Sequence, residues 1–162
     1  MPFSAAILTA SDKASSGERE DTSGAAIREL LGTIGVEVGK HEVVPDEQEV
    51  IAGRLQEWVD EGDVQLIVTT GGTGLGPRDV TVEATKSVLD YEVPGIAEAM
   101  RAEGLRHTPM SMISRAVAGV RDRVLIINLP GSPKGVRENL AVVLPVLQHA
   151  LELLAGERTS QH

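Results

Sequence analysis

Hydrophobic positions along the chain fall into two kinds of run. Residues 4–9, 64–70 and 123–129 are almost continuously apolar, the pattern of strands covered on both faces, whereas residues 36–44 alternate more evenly between apolar and polar side chains. Between them apolar residues recur at helical spacing: Ala26, Ile27, Leu30, Leu31 and Ile34 form one stripe, and Val50, Ile51, Leu55, Trp58 and Val59 the next. Residues 82–89 and 95–103 predict two shorter helices. A C-terminal helix is predicted from Ser132, with Pro133 in its first position and a stripe through Val136, Leu140, Val143, Leu147 and Leu151. Pro145 is expected to kink or split that helix, and Met100, Met110 and Met112 read as core filler. Strands alternating with helices imply an α/β fold, an open and mainly parallel sheet with helices on both faces, in which ligands bind beyond the carboxyl ends of the strands.

That topology gathers the unusual residues on one rim. Ser11, Asp12 and Lys13 follow the first strand, Asp46 follows the second, TTGGTGLGPRDVT (residues 69–81) follows the third, and LPGSPKG (residues 129–135) follows the fourth. Gly71, Gly72, Gly74 and Gly76 read as positions where positive φ and close ligand approach are tolerated, so that amides converge on phosphate. Arg78 brings a planar cationic fork and Asp79 a carboxylate suited to a metal. The loop has neither the Lys-Ser/Thr ending of a Walker A motif nor the glycine spacing of a dinucleotide fingerprint.

Each of these residues also has a plainer explanation. Asp46 with Glu49 three positions on resembles a capping box, and Ser132 is the natural N-cap before Pro133. Ser11 and Asp12 fit a polar turn, with Thr22 or Ser23 capping the helix that follows, and Thr81 is placed to cap the helix after the glycine loop, which frees Asp79. Lys134 resists such an account, because a cation in a first helical turn opposes the helix dipole unless an anion sits there.

Composition narrows the ligand. With 162 residues the chain reads as one domain over residues 1–156 and a frayed tail over 157–162. A formal charge of −9 with one Trp, one Tyr and one Phe argues against nucleic-acid binding. No cysteine is present, so thiolate metal sites and Cys nucleophiles are excluded. His41, His107, His149 and His162 show no ligand spacing. The N-terminal residues lack the basic region of a signal peptide and no stretch reaches membrane-spanning length, so a soluble, cytoplasmic protein is expected.

The glycine loop with the following VEAT, VPGIAEAMR (residues 93–101), SRAVAG (114–119), INLPGSPKGVREN (127–139) and the opening LTASDKASSGEREDTSG (8–24) together resemble the MogA/MoaB family of molybdenum-cofactor biosynthesis, and are similar to the G domain of gephyrin. The resemblance spans nearly the whole chain. It implies a Rossmann-like, molybdopterin-binding three-layer fold, a homotrimer or hexamer, and a MoeA-like molybdate-inserting protein downstream. It further implies Mg²⁺-dependent transfer of an adenylyl group from ATP to molybdopterin, giving adenylyl-molybdopterin and pyrophosphate. Asp79 of the PRD motif and Asp46 then take the catalytic and Mg²⁺-holding roles. Gly71, Gly72, Thr73, Gly74, Arg78, Ser132, Pro133, Lys134, Ser11 and Asp12 take substrate contacts. Val82 departs from the family pattern by replacing a proline. Two rival readings are a non-catalytic MoaB-like molybdopterin binder and a domain related to CinA-like proteins.

Overall fold

A computed structural model describes residues 2–156; the predicted tail, with His162, lies outside the described residues. Among the described residues, thirteen segments are of regular structure. The strands are β1 (Ser4–Ala10), β2 (Glu37–Val44), β3 (Leu66–Thr70), β4 (Tyr91–Glu92), β5 (Ala118–Arg121) and β6 (Val124–Leu129). The helices are α1 (Asp12–Ser15), α2 (Thr22–Gly32), α3 (Gln48–Glu61), α4 (Thr81–Val88), α5 (Pro94–Leu105) and α6 (Pro133–Leu154), with a 3₁₀ turn over Pro109–Ile113.

The sheet order is β2-β1-β3-β6-β5-β4, parallel through its first four strands and antiparallel in the last two pairings. The strands predicted from apolar runs are all present. β4 and β5 are not legible in the sequence, being two and four residues long. Period-two alternation divides the central strands between two cores. Ala5, Ile7, Leu66, Val68, Leu125 and Ile127 face α2, α5 and α6, while Ala6, Leu8, Ile67 and Ile126 face α3 and α4. Burial on both faces explains the unbroken apolar runs of β1, β3 and β6; β2 alternates because it is the sheet edge. Buried Asn128 ties the layers together, donating to Thr69 Oγ1 at 2.9 Å and Thr85 Oγ1 at 3.0 Å while accepting from the Val117 amide at 3.2 Å.

Two expectations are narrowed here. Pro145 does not split α6, which runs from Pro133 to Leu154. Its ring lies on the exposed face, as does Ala141, whose carbonyl loses its helical partner and can be hydrated there. Met100 is core, but Met110 and Met112 are 63% and 69% exposed, because the 3₁₀ turn carries them outward.

After β1 the chain crosses to β2 on one side and then returns past β1 to β3 on the other. The C-terminal ends of β1 and β3 therefore form a topological switch point, where neighbouring loops diverge and leave a crevice.

Candidate functional site

Two cavities open beyond these strand ends. The first, about 480 Å³, lies at the switch point itself and is lined by Ser11, Asp46, Gly71, Gly72, Asp79 and the Asp21–Ser23 entry to α2, with Ser132 and Pro133 on its far side. The second, about 300 Å³, is bounded by Thr73, Gly74 and Lys134 and by the 3₁₀ segment, with Met110, Ile113, Glu138 and Asn139 among its walls. Ser132 borders both.

The predicted rim is thus two adjoining sites, and it leaves two predicted residues aside: Asp12 and Arg78 line neither cavity. Arg78 is instead bound to Asp12 through both ends of its fork, Nε to Oδ2 at 3.0 Å and Nη2 to Oδ1 at 2.9 Å. Asp12 in turn exchanges bonds with Asp46. The Asp12 amide donates to Asp46 Oδ2 and the Asp46 amide donates to Asp12 Oδ1, each at 3.0 Å. Arg78 therefore braces the carboxylate that braces Asp46.

This reciprocal pair overturns the capping account of Asp46. Helix α3 has Glu47 at its N-cap with no side-chain cap bond, and the Asp46 carboxylate is turned toward β1 and the cavity. Its other oxygen, Oδ1, is buried and has no hydrogen-bond partner. Burial, reinforced by the charges of Asp12 and Asp79, pushes the Asp46 carboxyl above the ordinary range; Asp12, held by Arg78, sits below it.

Asp79 does not cap α4 either. Its Oδ2 accepts the Gly76 amide at 2.9 Å, closing a tight turn. Gly74 and Gly76 serve that carboxylate rather than positive φ, since a Cβ on either would lie 3.0 or 2.9 Å from Asp79 Oδ2. Only Gly71 and Gly72 of the loop have positive φ, +97° and +72°. A Cβ at Gly71 would stand 2.3 Å from the Ala10 carbonyl oxygen, so glycine here lets the end of β3 pass the end of β1. The expected cap of α4 by Thr81 is not found: Val80 occupies that position, and Thr81 Oγ1 is buried without a partner against Gly72.

After β6 the expectation holds: Ser132 Oγ accepts from the Gly135 amide at 3.1 Å and Pro133 begins α6. Lys134 is exposed in the first turn and reaches the second cavity. Ser11 caps the short α1, its Oγ accepting from the Ala14 amide at 3.2 Å.

Several residues at the site escaped sequence reasoning. Asp21, rather than Thr22 or Ser23, caps α2, with its Oδ1 accepting from the Gly24 amide at 3.0 Å. Its Oδ2 accepts from Thr9 at 2.8 Å and faces His41 Nε2 at 2.6 Å, a ring that fits because Gly24 has no side chain. An Asp directly before a helix was a legible N-cap signal. Arg19 lines the first cavity and supplies a cation the sequence reading assigned to Arg78. Arg115 had no signal beyond its place in the SRAVAG motif, yet it holds the glycine loop from behind.

The donor set suits Mg²⁺. No cluster of three or more acidic, His or Cys residues arranged to hold a metal occurs among the described residues, but Mg²⁺ bound with phosphates takes only one or two carboxylates. Asp46, with its orphaned buried oxygen, and Asp79 on the same cavity meet that requirement.

Comparison with known proteins identifies the fold and the family. The chain is 44% identical to the molybdopterin adenylyltransferase of Helicobacter pylori J99 over 152 residues, covering 93% of this chain and 86% of that protein. Dictyostelium discoideum gephyrin is 45% identical over 165 residues, which take in 95% of this chain but 23% of gephyrin. The crystal structure of the molybdopterin biosynthesis enzyme MoaB from Thermus thermophilus superposes with a TM-score of 0.90 at 58% identity, covering 96% of this chain and 98% of that one. Residues 6–149 match the family model described as "Probable molybdopterin binding domain", and with that match the chain belongs to the molybdopterin-binding family of molybdenum-cofactor biosynthesis, alongside its MogA, MoaB and gephyrin relatives.

Proposed function

We propose that the chain adenylylates molybdopterin, using ATP and Mg²⁺ and releasing pyrophosphate. The observation that carries this reading is the buried, unpartnered Oδ1 of Asp46, on a cavity that also holds Asp79 and adjoins a second cavity suited to another anionic substrate. In the reaction a terminal phosphate oxygen of molybdopterin forms a bond to the α-phosphorus of ATP. The bond from that phosphorus to the bridging oxygen breaks, and its electron pair leaves with pyrophosphate. A phosphate monoester has a second pKa of about 6, so the nucleophile is already largely dianionic at neutral pH and no strong general base is required.

The obstacle is repulsion between two anions. Asp46 and Asp79 would hold Mg²⁺ beside the nucleotide phosphates, where it would supply the offsetting positive charge. The remaining work belongs to the chain. The N-terminus of α2, at Thr22 and Ser23, borders the first cavity and receives nucleotide phosphate. The N-terminus of α6 and Lys134 receive the molybdopterin phosphate in the second. Asp12 and Arg78 keep Asp46 oriented without touching substrate. Gly71 to Gly74 run along both cavities and hold the two substrates in line for transfer.

In the same reading residues 1–156 form one molybdopterin-binding domain, assembled as a homotrimer or hexamer in the cytoplasm and delivering product to a MoeA-like protein. The described residues contain no helix long and apolar enough to cross a membrane. The decisive experiment measures pyrophosphate release with purified molybdopterin, Mg²⁺ and each nucleotide in turn. Release that requires both ATP and molybdopterin is expected; tight molybdopterin binding with no release in any combination would instead identify a carrier.

A further inference from the structure

One side chain outside both cavities is joined to the glycine loop at more points than any contact within the loop accounts for. Arg115 leaves the segment between the 3₁₀ turn and β5, far from the loop in sequence, and its guanidinium donates from Nε to the Gly74 carbonyl at 2.8 Å and from Nη2 to the Asp79 carbonyl at 3.0 Å. Its own amide donates to the Thr73 carbonyl at 2.8 Å. The outer edge of the guanidinium is paired with Glu83 on α4, through Nη1 to Oε2 and Nη2 to Oε1. One residue thus grips the entry of the loop, its exit, and the helix that follows. The span between those grips, residues 75–78, is exposed, and the turn inside it is closed by the bond from the Gly76 amide to Asp79 Oδ2.

We infer that Arg115 is a positioning residue that sets where the Asp79 carboxylate stands in the first cavity, an inference that rests on the functional reading above. The physical reason is the shape of the group. A guanidinium presents donors in a fixed plane, so its contacts with Gly74, Asp79 and Glu83 fix the relative positions of three acceptors at once. A lysine keeps the charge beside Glu83 but is a point donor without that fork. The loop would then retain its local turn and lose its fixed distance from the strand ends. Reactions of this kind are sensitive to such displacements, and about 1 Å costs on the order of 100-fold in rate. Arg115 touches neither cavity, so substrate binding has no direct need of it.

The test is Arg115→Lys in the full-length protein, read by pyrophosphate release, by direct binding of molybdopterin, and by amide exchange of the loop. The expected result is a kcat lower by about 10- to 100-fold, the range for residues that support a metal-holding group from behind. Both KM values stay within about threefold. The Gly76 and Asp79 amides exchange at least about tenfold faster than in the wild-type protein. A folded Arg115→Lys protein with unchanged kcat, or with a kcat loss matched by an equal rise in KM, overturns the inference. The wild-type protein gives a check that does not depend on the variant folding: if its Gly76 and Asp79 amides exchange at the rate of free peptide, the loop is not held and the inference fails. Should the wild-type protein release no pyrophosphate, the adenylylation reading falls, while loop exchange in wild type and variant still decides whether Arg115 holds Asp79.

Discussion

The two cavities meet at Ser132 and are built on different principles. The first is made from strand ends and collects carboxylates, with Asp21, Asp46 and Asp79 on its walls and Arg19 as its cation. The second is made from helix sides, where Lys134 stands near apolar Met110 and Ile113, and its Glu138 is paired with His107 Nδ1 at 3.1 Å. A surplus of negative charge around phosphate chemistry is useful only when a cation joins it, whereas a mixed apolar and cationic wall holds a ring system with an anionic end by itself. In the proposed reading reaction belongs to the first cavity and recognition to the second, and variants in each cavity separate the two.

Asp79→Asn gives the largest effect. The amide oxygen of Asn can still accept from Gly76, so the loop turn survives and stability changes by less than about 1 kcal/mol. The negative charge is lost, and pyrophosphate release should fall by about 100-fold or more while molybdopterin affinity holds or rises. Full activity in this variant would remove Asp79 from the reaction and leave Asp46 alone.

Gly72→Val tests the loop that runs from the first cavity to the second. A side chain at Gly72 meets the protein before it could reach a ligand. The added Cβ would lie 2.1 Å from Thr81 Oγ1, at a φ of +72° that a β-branched residue resists. A stability loss of about 1–3 kcal/mol is expected, together with weakened binding in both cavities because the loop must move. Thermal denaturation with and without molybdopterin measures both, and a variant as stable as wild type would show the loop to be more pliable than its packing implies.

How much of this was written in the sequence depended on whether a residue advertises itself locally. Continuous apolar runs gave β1, β3 and β6 because burial on both faces leaves no polar position, and Ser132 with Pro133 gave the start of α6 because cap and first turn are adjacent in sequence. β4 and β5 were invisible because two or four residues carry no period, and they exist through antiparallel pairing with partners supplied by the fold. The first cavity was largely legible, since glycines and lone acids after strands are conspicuous. Asp46 was ambiguous because Glu49 imitates a capping box; only the return contact with Asp12, 34 residues away, removes the ambiguity. Arg78 was assigned to a ligand because its bond to Asp12 is nonlocal, and Arg115 was missed for the same reason. The second cavity drew on Thr108, Glu138 and Asn139, ordinary residues on helix flanks that only tertiary packing brings together.

Lys134→Ala addresses the second cavity alone. The side chain is exposed in the first turn of α6, where its charge opposes the helix dipole, so removal should leave stability unchanged or raise it by about 0.3–1 kcal/mol. Molybdopterin should bind about 2- to 10-fold more weakly, an exposed charge contact being screened by solvent, while kcat at saturating molybdopterin stays near wild type. Titration of molybdopterin beside saturation kinetics separates the two quantities. A fall in kcat at unchanged affinity would move Lys134 from the recognition site to the reaction site.

The smallest expected effect is on the stability of the substrate-free protein, and it distinguishes Asp46 from Asp12 although the two are bonded to each other. Burial holds the Asp46 carboxyl above its ordinary pKa, so the folded protein binds that proton more tightly than the unfolded chain does. The contribution of Asp46 to stability is therefore present at acid pH and is lost as the pH rises through the raised folded value. Asp46→Asn removes a charge that is costly at neutral pH, and its amide oxygen can still accept from the Asp12 amide. The variant should melt slightly higher than wild type at pH 7, with the gain shrinking toward zero as the pH falls to the ordinary carboxylate range. Asp12 runs the other way. Arg78 holds its carboxyl low, so its contribution is present above the ordinary carboxylate pKa and is lost as the pH falls through the depressed folded value; Asp12→Asn should destabilise at neutral pH and matter least in acid. Melting curves of both variants across this pH range test the pair. If Asp46→Asn instead melts lower at pH 7, the buried oxygen is already satisfied in the substrate-free protein, and the argument that it waits for a cation loses its support.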